Sequence, residues 1–146
     1  MTSRWPLYIA AALLLIVTIV CVAVFAAATF NEDTDTNTQE HYTEQVTALL
    51  ANADPVRGEA LIDEATCAAC HVSGAEIGIA PSFEGVATRA ETRRPPLNAA
   101  EYLYESIIHP TAFIVEDYTG SMPQNFAERL TGEQIGDIIA YLLTLK

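Results

Sequence analysis

Basic residues are scarce: the 146-residue chain has 7 lysines and arginines against 19 aspartates and glutamates, a net charge of −12 at neutral pH. That balance excludes a nucleic-acid-binding surface and one that rests on anionic lipid, because both need positive charge to offset phosphate. Arg4 is the one charged residue before Glu32, so everything after it carries about −13. Such a surface suits a partner with a basic docking patch. Strand signals are missing too: no segment alternates apolar and polar residues convincingly, which points to an all-α chain. Histidine (3), cysteine (3) and methionine (2) are so few that each position carries information.

Charge is absent altogether from Trp5 to Asn31. Within that run, LYIAAALLLIVTIVCVAVFAAATF (Leu7–Phe30) would form a helix of roughly 36 Å at ~1.5 Å per residue, longer than the ~30 Å hydrocarbon core of a bilayer. A cleaved secretory signal is the rival, with Ala26-Ala27-Ala28 as its small-residue site, but a signal's apolar region usually spans only ~7–15 residues. Residues 1–30 are therefore expected to be a transmembrane anchor, with the membrane crossed by residues 7–30. Cys21 lies within the span, lacks a lipidation pattern before it, and reads as a small apolar residue. Arg4 precedes the span and the acidic NEDTDTNTQE (Asn31–Glu40) follows it. The positive-inside rule then places the N-terminus in the cytoplasm and the rest on the periplasmic side of a bacterial cytoplasmic membrane. Residues 31–53 read as an acidic linker, with a short helix suggested by Val46, Leu49 and Leu50 at i, i+3, i+4.

The globular part is expected over 54–146. Asp54 caps a helix with Pro55 at its first position, and Leu61 and Ile62 give it an apolar side. Val72 to Leu97 has the chemistry of a loop: Gly74, Gly78, Pro81, Gly85, Pro95 and Pro96. Asn98 and Glu101 form a capping box for a helix whose Leu103, Ile107 and Ile108 face inward and which Pro110 ends. After a second loop, Thr131 and Gln134 cap a last helix with Ile135, Ile138, Ile139 and Leu142 at i, i+3, i+4, i+7. So lean a core, with long loops, calls for a staple or a cofactor.

Cys67-Ala-Ala-Cys70-His71 has three readings. A thioredoxin-type dithiol needs a βαβ context, and no strand precedes it. A structural zinc site needs four ligands; the motif supplies three, and an acidic residue would have to complete it. The third reading is the C-x-x-C-H attachment motif of c-type haem, in which two thiols form thioethers with the porphyrin and the histidine reaches the iron. A second axial ligand must then come from elsewhere. Apart from the initiator there is one methionine, Met122, in the loop TGSMPQNF, and a thioether favours ferrous iron and raises the potential. A gap-filling methionine is the ordinary alternative, and His109, just before Pro110, is the rival ligand. With both axial positions taken the iron performs one-electron transfer; with a displaceable sixth ligand the chain would be a haem enzyme or gas sensor.

GEALIDEATCAACH, APSFEGV, SMPQNF and LTGEQIGDIIAYLLTLK, in that order, make residues 54–146 resemble class I, mitochondrial-type cytochrome c. The resemblance implies an all-α fold around one covalent haem c held through Cys67 and Cys70, with His71 and Met122 as iron ligands. It implies a crossing of the first and last helices, for which Gly58 and Tyr141 are the candidates. It also implies that the Pro81 carbonyl accepts a hydrogen bond from His71, orienting the ring. Propionate donors are sought in Arg89, Arg93 and Arg94 of ATRAETRRPP and in Tyr118. Among family members, EYLYESIIHPTAFIVEDYTGSMPQNF looks most like membrane-linked bacterial forms. No copper-binding oxidase domain precedes the motif, which points away from fused oxidase subunits and toward the mono-haem subunit of alternative complex III. The expected role is electron transfer, without catalysis, between a quinol-oxidising complex and a downstream acceptor in a respiratory or photosynthetic chain. The expected partners are redox proteins, chiefly other subunits of a membrane complex.

Overall fold

The computed structural model describes residues 4–72 and 79–146, with backbone alone at residue 6 and over 28–40. Among the described residues six α-helices follow one another: α1 (Trp5–Leu50), α2 (Pro55–Glu64), α3 (Val86–Arg93), α4 (Ala99–Ile108), α5 (Phe126–Arg129) and α6 (Gly132–Leu142). A short 3₁₀ turn, Cys67–Ala69, lies between α2 and α3. The described residues contain no strand, so the chain is all-α as expected.

The chain divides into two compact units, Met1–Thr38 and Gln39–Lys146. In the first, Leu7–Ala27 is one helical stretch of mean hydropathy 3.1, long and apolar enough to cross a membrane. In the second, the last part of α1 is a helical strap packed on the other helices: Tyr42 and Val46 are buried. The sequence suggests a linker over 31–53 with a short helix in it; the backbone is instead helical through Asn31–Leu50. The physical reason is that TEQVTALL supplies good helix formers with an apolar side to bury.

Three helices begin where the capping chemistry puts them. The Asp54 carboxylate accepts from the Val56 amide at 2.8 Å, with Pro55 opening α2. Asn98 with Glu101, and Thr131 with Gln134, form reciprocal capping boxes on α4 and α6. Pro110 follows the end of α4 at Ile108. Ile135, Ile138, Ile139 and Leu142 are all buried. One element departs from the expected loop over Val72–Leu97: α3 occupies Val86–Arg93. It buries only Ala87 and Ala90, two small residues that leave almost no apolar period to read. Gly74 and Gly78 of that loop lie outside the described residues.

α2 and α6 cross in close contact at Gly58. A Cβ there would sit 2.0 Å from the Asp137 carbonyl oxygen and 2.8 Å from Cβ of Tyr141, so only glycine permits this approach. The strap comes nearly as close to α6, where a Cβ at Gly136 would meet the Leu49 carbonyl oxygen at 2.5 Å.

Two of the buried acids, Asp137 and Glu101, are met by hydrogen-bond donors. Asp137 accepts from Nε of Arg57 at 2.7 Å, from Nη2 of Arg57 at 2.9 Å and from the Asp54 amide at 2.6 Å. It thereby ties α6 to the start of α2. Glu101 accepts from the Thr43 hydroxyl and from the Asn98 amide at 2.9 Å. Burial alone would raise the Asp137 pKa, but the hydrogen bonds from Arg57 and Asp54 and the Arg57 charge outweigh it and hold the carboxyl below its ordinary value. Its contribution to stability is therefore complete above an unfolded-state pKa of ~3.9 and is lost as pH falls through the lower folded value. Replacing Asp137 by alanine should cost about 2 kcal/mol at neutral pH, because the Asp54 amide loses its partner while the half-exposed Arg57 rehydrates. Denaturant titrations should show this deficit shrinking as pH drops below ~4, where the wild type loses the same contribution.

Candidate functional site

α2 is ended by its own last turn, with the Ala65 amide on the Leu61 carbonyl at 2.9 Å, and Thr66 then adopts a left-handed conformation at φ 62°. That reversal starts the 3₁₀ turn carrying the cysteines. Amides of Cys70 and His71 both donate to the Cys67 carbonyl, at 3.2 and 3.1 Å. The three motif side chains are thus presented by one compact turn rather than by an extended segment. Cys67 and Cys70 are not joined in a disulfide. Burial pushes the Cys67 thiol up, with the Arg129 charge opposing, so it is protonated at neutral pH.

His71 donates from Nδ1 to the Pro81 carbonyl oxygen at 2.6 Å. A carbonyl oxygen only accepts, so Nδ1 carries the proton and Nε2 keeps its lone pair for a ligand bond. The ring also stacks on Phe83, with centroids 4.4 Å apart and planes 6° from parallel. Burial lowers the His71 pKa, and the Pro81 bond only partly offsets it. The imidazole is therefore neutral at physiological pH, the form in which it binds a metal.

These residues wall one cavity of about 260 Å³, lined overwhelmingly by carbon. Cys67, Cys70, His71, Pro81, Tyr118 and Met122 all line it, and so do Ile62 and Ile138 from the crossing helices. Met122 is partly buried and packs against the core. The site thus brings together two thiols, a neutral imidazole and one thioether around an apolar hollow. That donor set fits a large flat apolar cofactor with a soft metal; among the described residues no three His, Cys, Asp or Glu side chains are grouped closely enough to hold a metal ion by themselves.

Arg89 and Arg93 are not brought to the cavity wall. The Arg89 guanidinium donates to the backbone carbonyls of Ser82 and Glu84 instead, tying the Pro81 loop to α3. Arg93 lies half-buried in the last turn of α3. Arg94 pairs with the buried Glu105 at 2.6 Å and sits over the Phe113 ring. The arginine that does line the cavity is Arg129, whose guanidinium lies 5.5 Å from the Phe126 centroid. A single arginine in a polar stretch carries no spacing signal that would mark it in the sequence.

An all-α domain in which a C-x-x-C-H turn, a carbonyl-oriented histidine and the one internal methionine enclose an apolar cavity is built as a c-type haem protein. The family model for cytochrome c matches residues 55–146, and the chain belongs to that family. Membership brings covalently bound haem c and a role in electron transfer rather than catalysis. No curated protein and no solved structure matches the chain.

Proposed function

We propose that this is a membrane-anchored, mono-haem class I cytochrome c, with Cys67 and Cys70 as the attachment thiols and His71 and Met122 as the two iron ligands. The observation that carries the reading is the 2.6 Å bond from His71 to the Pro81 carbonyl, on the same cavity wall as Met122. The haem, when bound, supplies a one-electron Fe(III)/Fe(II) couple. The chain's own residues do the rest. Pro81 and Phe83 hold the imidazole in one tautomer and one plane, so its geometry is the same in both oxidation states. The carbon-lined wall keeps water from the interior, and Met122 favours the ferrous form. Tyr118 and Arg129 are the lining groups able to donate to the cofactor's carboxylates. Were His71 and Met122 both to hold the iron, no position would be left for a substrate, which sets this reading apart from a haem enzyme or gas sensor.

Residues 7–30 anchor the chain, with the haem domain on the periplasmic side of a bacterial cytoplasmic membrane. Its partners are other redox subunits of a membrane complex. The electron path runs from a quinol-oxidising unit to a downstream oxidase or photosynthetic acceptor. The sequence of the segment from Glu101 to Phe126 supports placing it as the mono-haem subunit of alternative complex III. The acidic surface, about −13 beyond the span, favours a donor or acceptor with a basic docking face, so electron transfer between separate proteins should slow as salt rises.

Denaturing mass spectrometry of the matured protein tests the attachment. One haem mass should stay with the polypeptide after denaturation, and a Cys67→Ala, Cys70→Ala double variant should lose it entirely. A wild-type polypeptide without the added mass would reject the proposal.

A further inference from the structure

Pro81, Ser82, Phe83 and Glu84 belong to no helix, yet each of their four successive carbonyls accepts a hydrogen bond. Pro81 accepts from Nδ1 of His71 at 2.6 Å, and Phe83 from the Val86 amide at 3.0 Å. The other two, Ser82 and Glu84, both accept from the Arg89 guanidinium, through Nη2 and Nη1. A planar guanidinium carries its donors in a fixed fork, so one side chain can hold two carbonyls in a set relation. The alternation gives this grip its consequence. The two residues Arg89 holds are interleaved with the two that touch His71, Pro81 through its carbonyl and Phe83 through its ring, stacked at 4.4 Å. The base of the grip is fixed as well. α3 buries Ala87 and Ala90, and the Ala87 amide donates to the Leu145 carbonyl at 2.9 Å, beyond the end of α6. Gly85, at φ 67°, makes the turn into α3, and a Cβ there would stand 3.1 Å from Nη1 of Arg89. Arg89 itself is half-buried and stands outside the residues that line the cavity.

We propose that Arg89 is a positioning residue: by gripping the Ser82 and Glu84 carbonyls it fixes the segment whose Pro81 carbonyl and Phe83 ring set the plane and basicity of His71, and so tunes the reduction potential from outside the cavity. The inference rests on the electron-carrier reading above. The hydrogen bond from Nδ1 makes the imidazole a more basic ligand, which favours ferric iron. With the two carbonyls released, Pro81 drifts from His71, the ring donates less, and the potential rises. Loss of a positive charge near the iron acts the other way, because it favours the ferric state and lowers the potential. Positioning and charge are therefore told apart by sign.

Arg89→Lys separates the two, since lysine keeps the charge and loses the fork. The test compares wild-type and variant holoproteins, full-length and in detergent, by midpoint potential and by proton NMR of the reduced form. Exchange of the His71 Nδ1 proton with solvent reports how often its bond to Pro81 opens. In Arg89→Lys that exchange should quicken about tenfold and the potential should rise, with the far-UV circular dichroism unchanged. Arg89→Met, which has neither donor nor charge, should show the same quickening, and it carries the test if lysine disturbs the fold. Exchange at the wild-type rate in either folded variant overturns the proposal. So does a potential that stays put or falls in folded Arg89→Lys, since an arginine acting through its charge alone would leave it in place. A wild type without a low-spin haem spectrum would instead remove the carrier reading, and this proposal with it.

Discussion

Replacing Met122 by alanine is expected to convert the protein from a carrier without a free coordination position into one that binds carbon monoxide when reduced. The far-red methionine–iron band of the oxidised form should vanish. The midpoint potential should fall by on the order of 0.1 V or more, within the ~0.8 V range that axial ligands command. The size follows from the loss of the one thioether on the cavity wall, the group that favours ferrous iron. Met122 also packs against the core, so a packing role has to be separated from ligation. Met122→Leu does that: it keeps the apolar volume at a packing cost under about 1.5 kcal/mol and removes only the sulfur. Leucine should reproduce the spectral and redox changes of alanine. If it retained the band and excluded carbon monoxide, Met122 would be a gap-filler and the ligand would have to be sought elsewhere.

The second large effect is on stability. Gly58→Ala should destabilise the domain by about 3 kcal/mol, in spite of the ~1 kcal/mol that alanine gains over glycine in a helix interior. The new methyl would stand 2.0 Å from the backbone oxygen of Asp137 and 2.8 Å from Cβ of Tyr141. The nearest obstacle is main chain, which no rotamer change relieves, so α2 and α6 must separate. That motion also pulls Arg57 away from Asp137, which the same crossing holds at 2.7 Å. Ile62 and Ile138, on these two helices, line the cavity, so the haem environment should loosen as well. Denaturant unfolding followed by far-UV circular dichroism checks the figure. A change below 1 kcal/mol would show that the helices cross with more slack than the structure gives them.

The helices that were legible in the sequence are those whose ends and faces are both written locally. α4 and α6 carry reciprocal caps and four-residue apolar spacing, and α2 carries an aspartate cap with proline behind it. α3 was not legible, because Ala87 and Ala90 bury so little that Pro95, Pro96 and the glycines dominate the pattern. The shared cavity of Cys67, Cys70, His71 and Met122 was legible for a chemical reason: each residue type is so rare here that few combinations exist. The arginines show the opposite case. Arg89, Arg93 and Arg94 stand together in sequence, yet Arg89 turns back to its own loop carbonyls and Arg94 goes to Glu105. The cavity receives Arg129 from α5 instead. Which face of a short helix meets the cavity is decided by tertiary packing, and spacing alone does not carry it.

The same holds for the strap. Tyr42 and Val46 are buried to 7% and 4% exposure, but the strap's partners, Tyr104 against Tyr42 and Gly132 and Gly136 against Leu49, lie some sixty or more positions along the chain, beyond the reach of any local pattern. The structure makes Gln39–Leu50 part of the haem unit.

The most direct measurement of the central claim is an absorption spectrum of the matured wild-type protein, oxidised and reduced, with and without carbon monoxide. The account predicts a low-spin c-type haem with the far-red methionine band when oxidised, and a reduced spectrum that carbon monoxide leaves unchanged. A high-spin spectrum, or ready carbon monoxide binding by the unmodified protein, would contradict ligation by His71 and Met122 and with it the electron-carrier function.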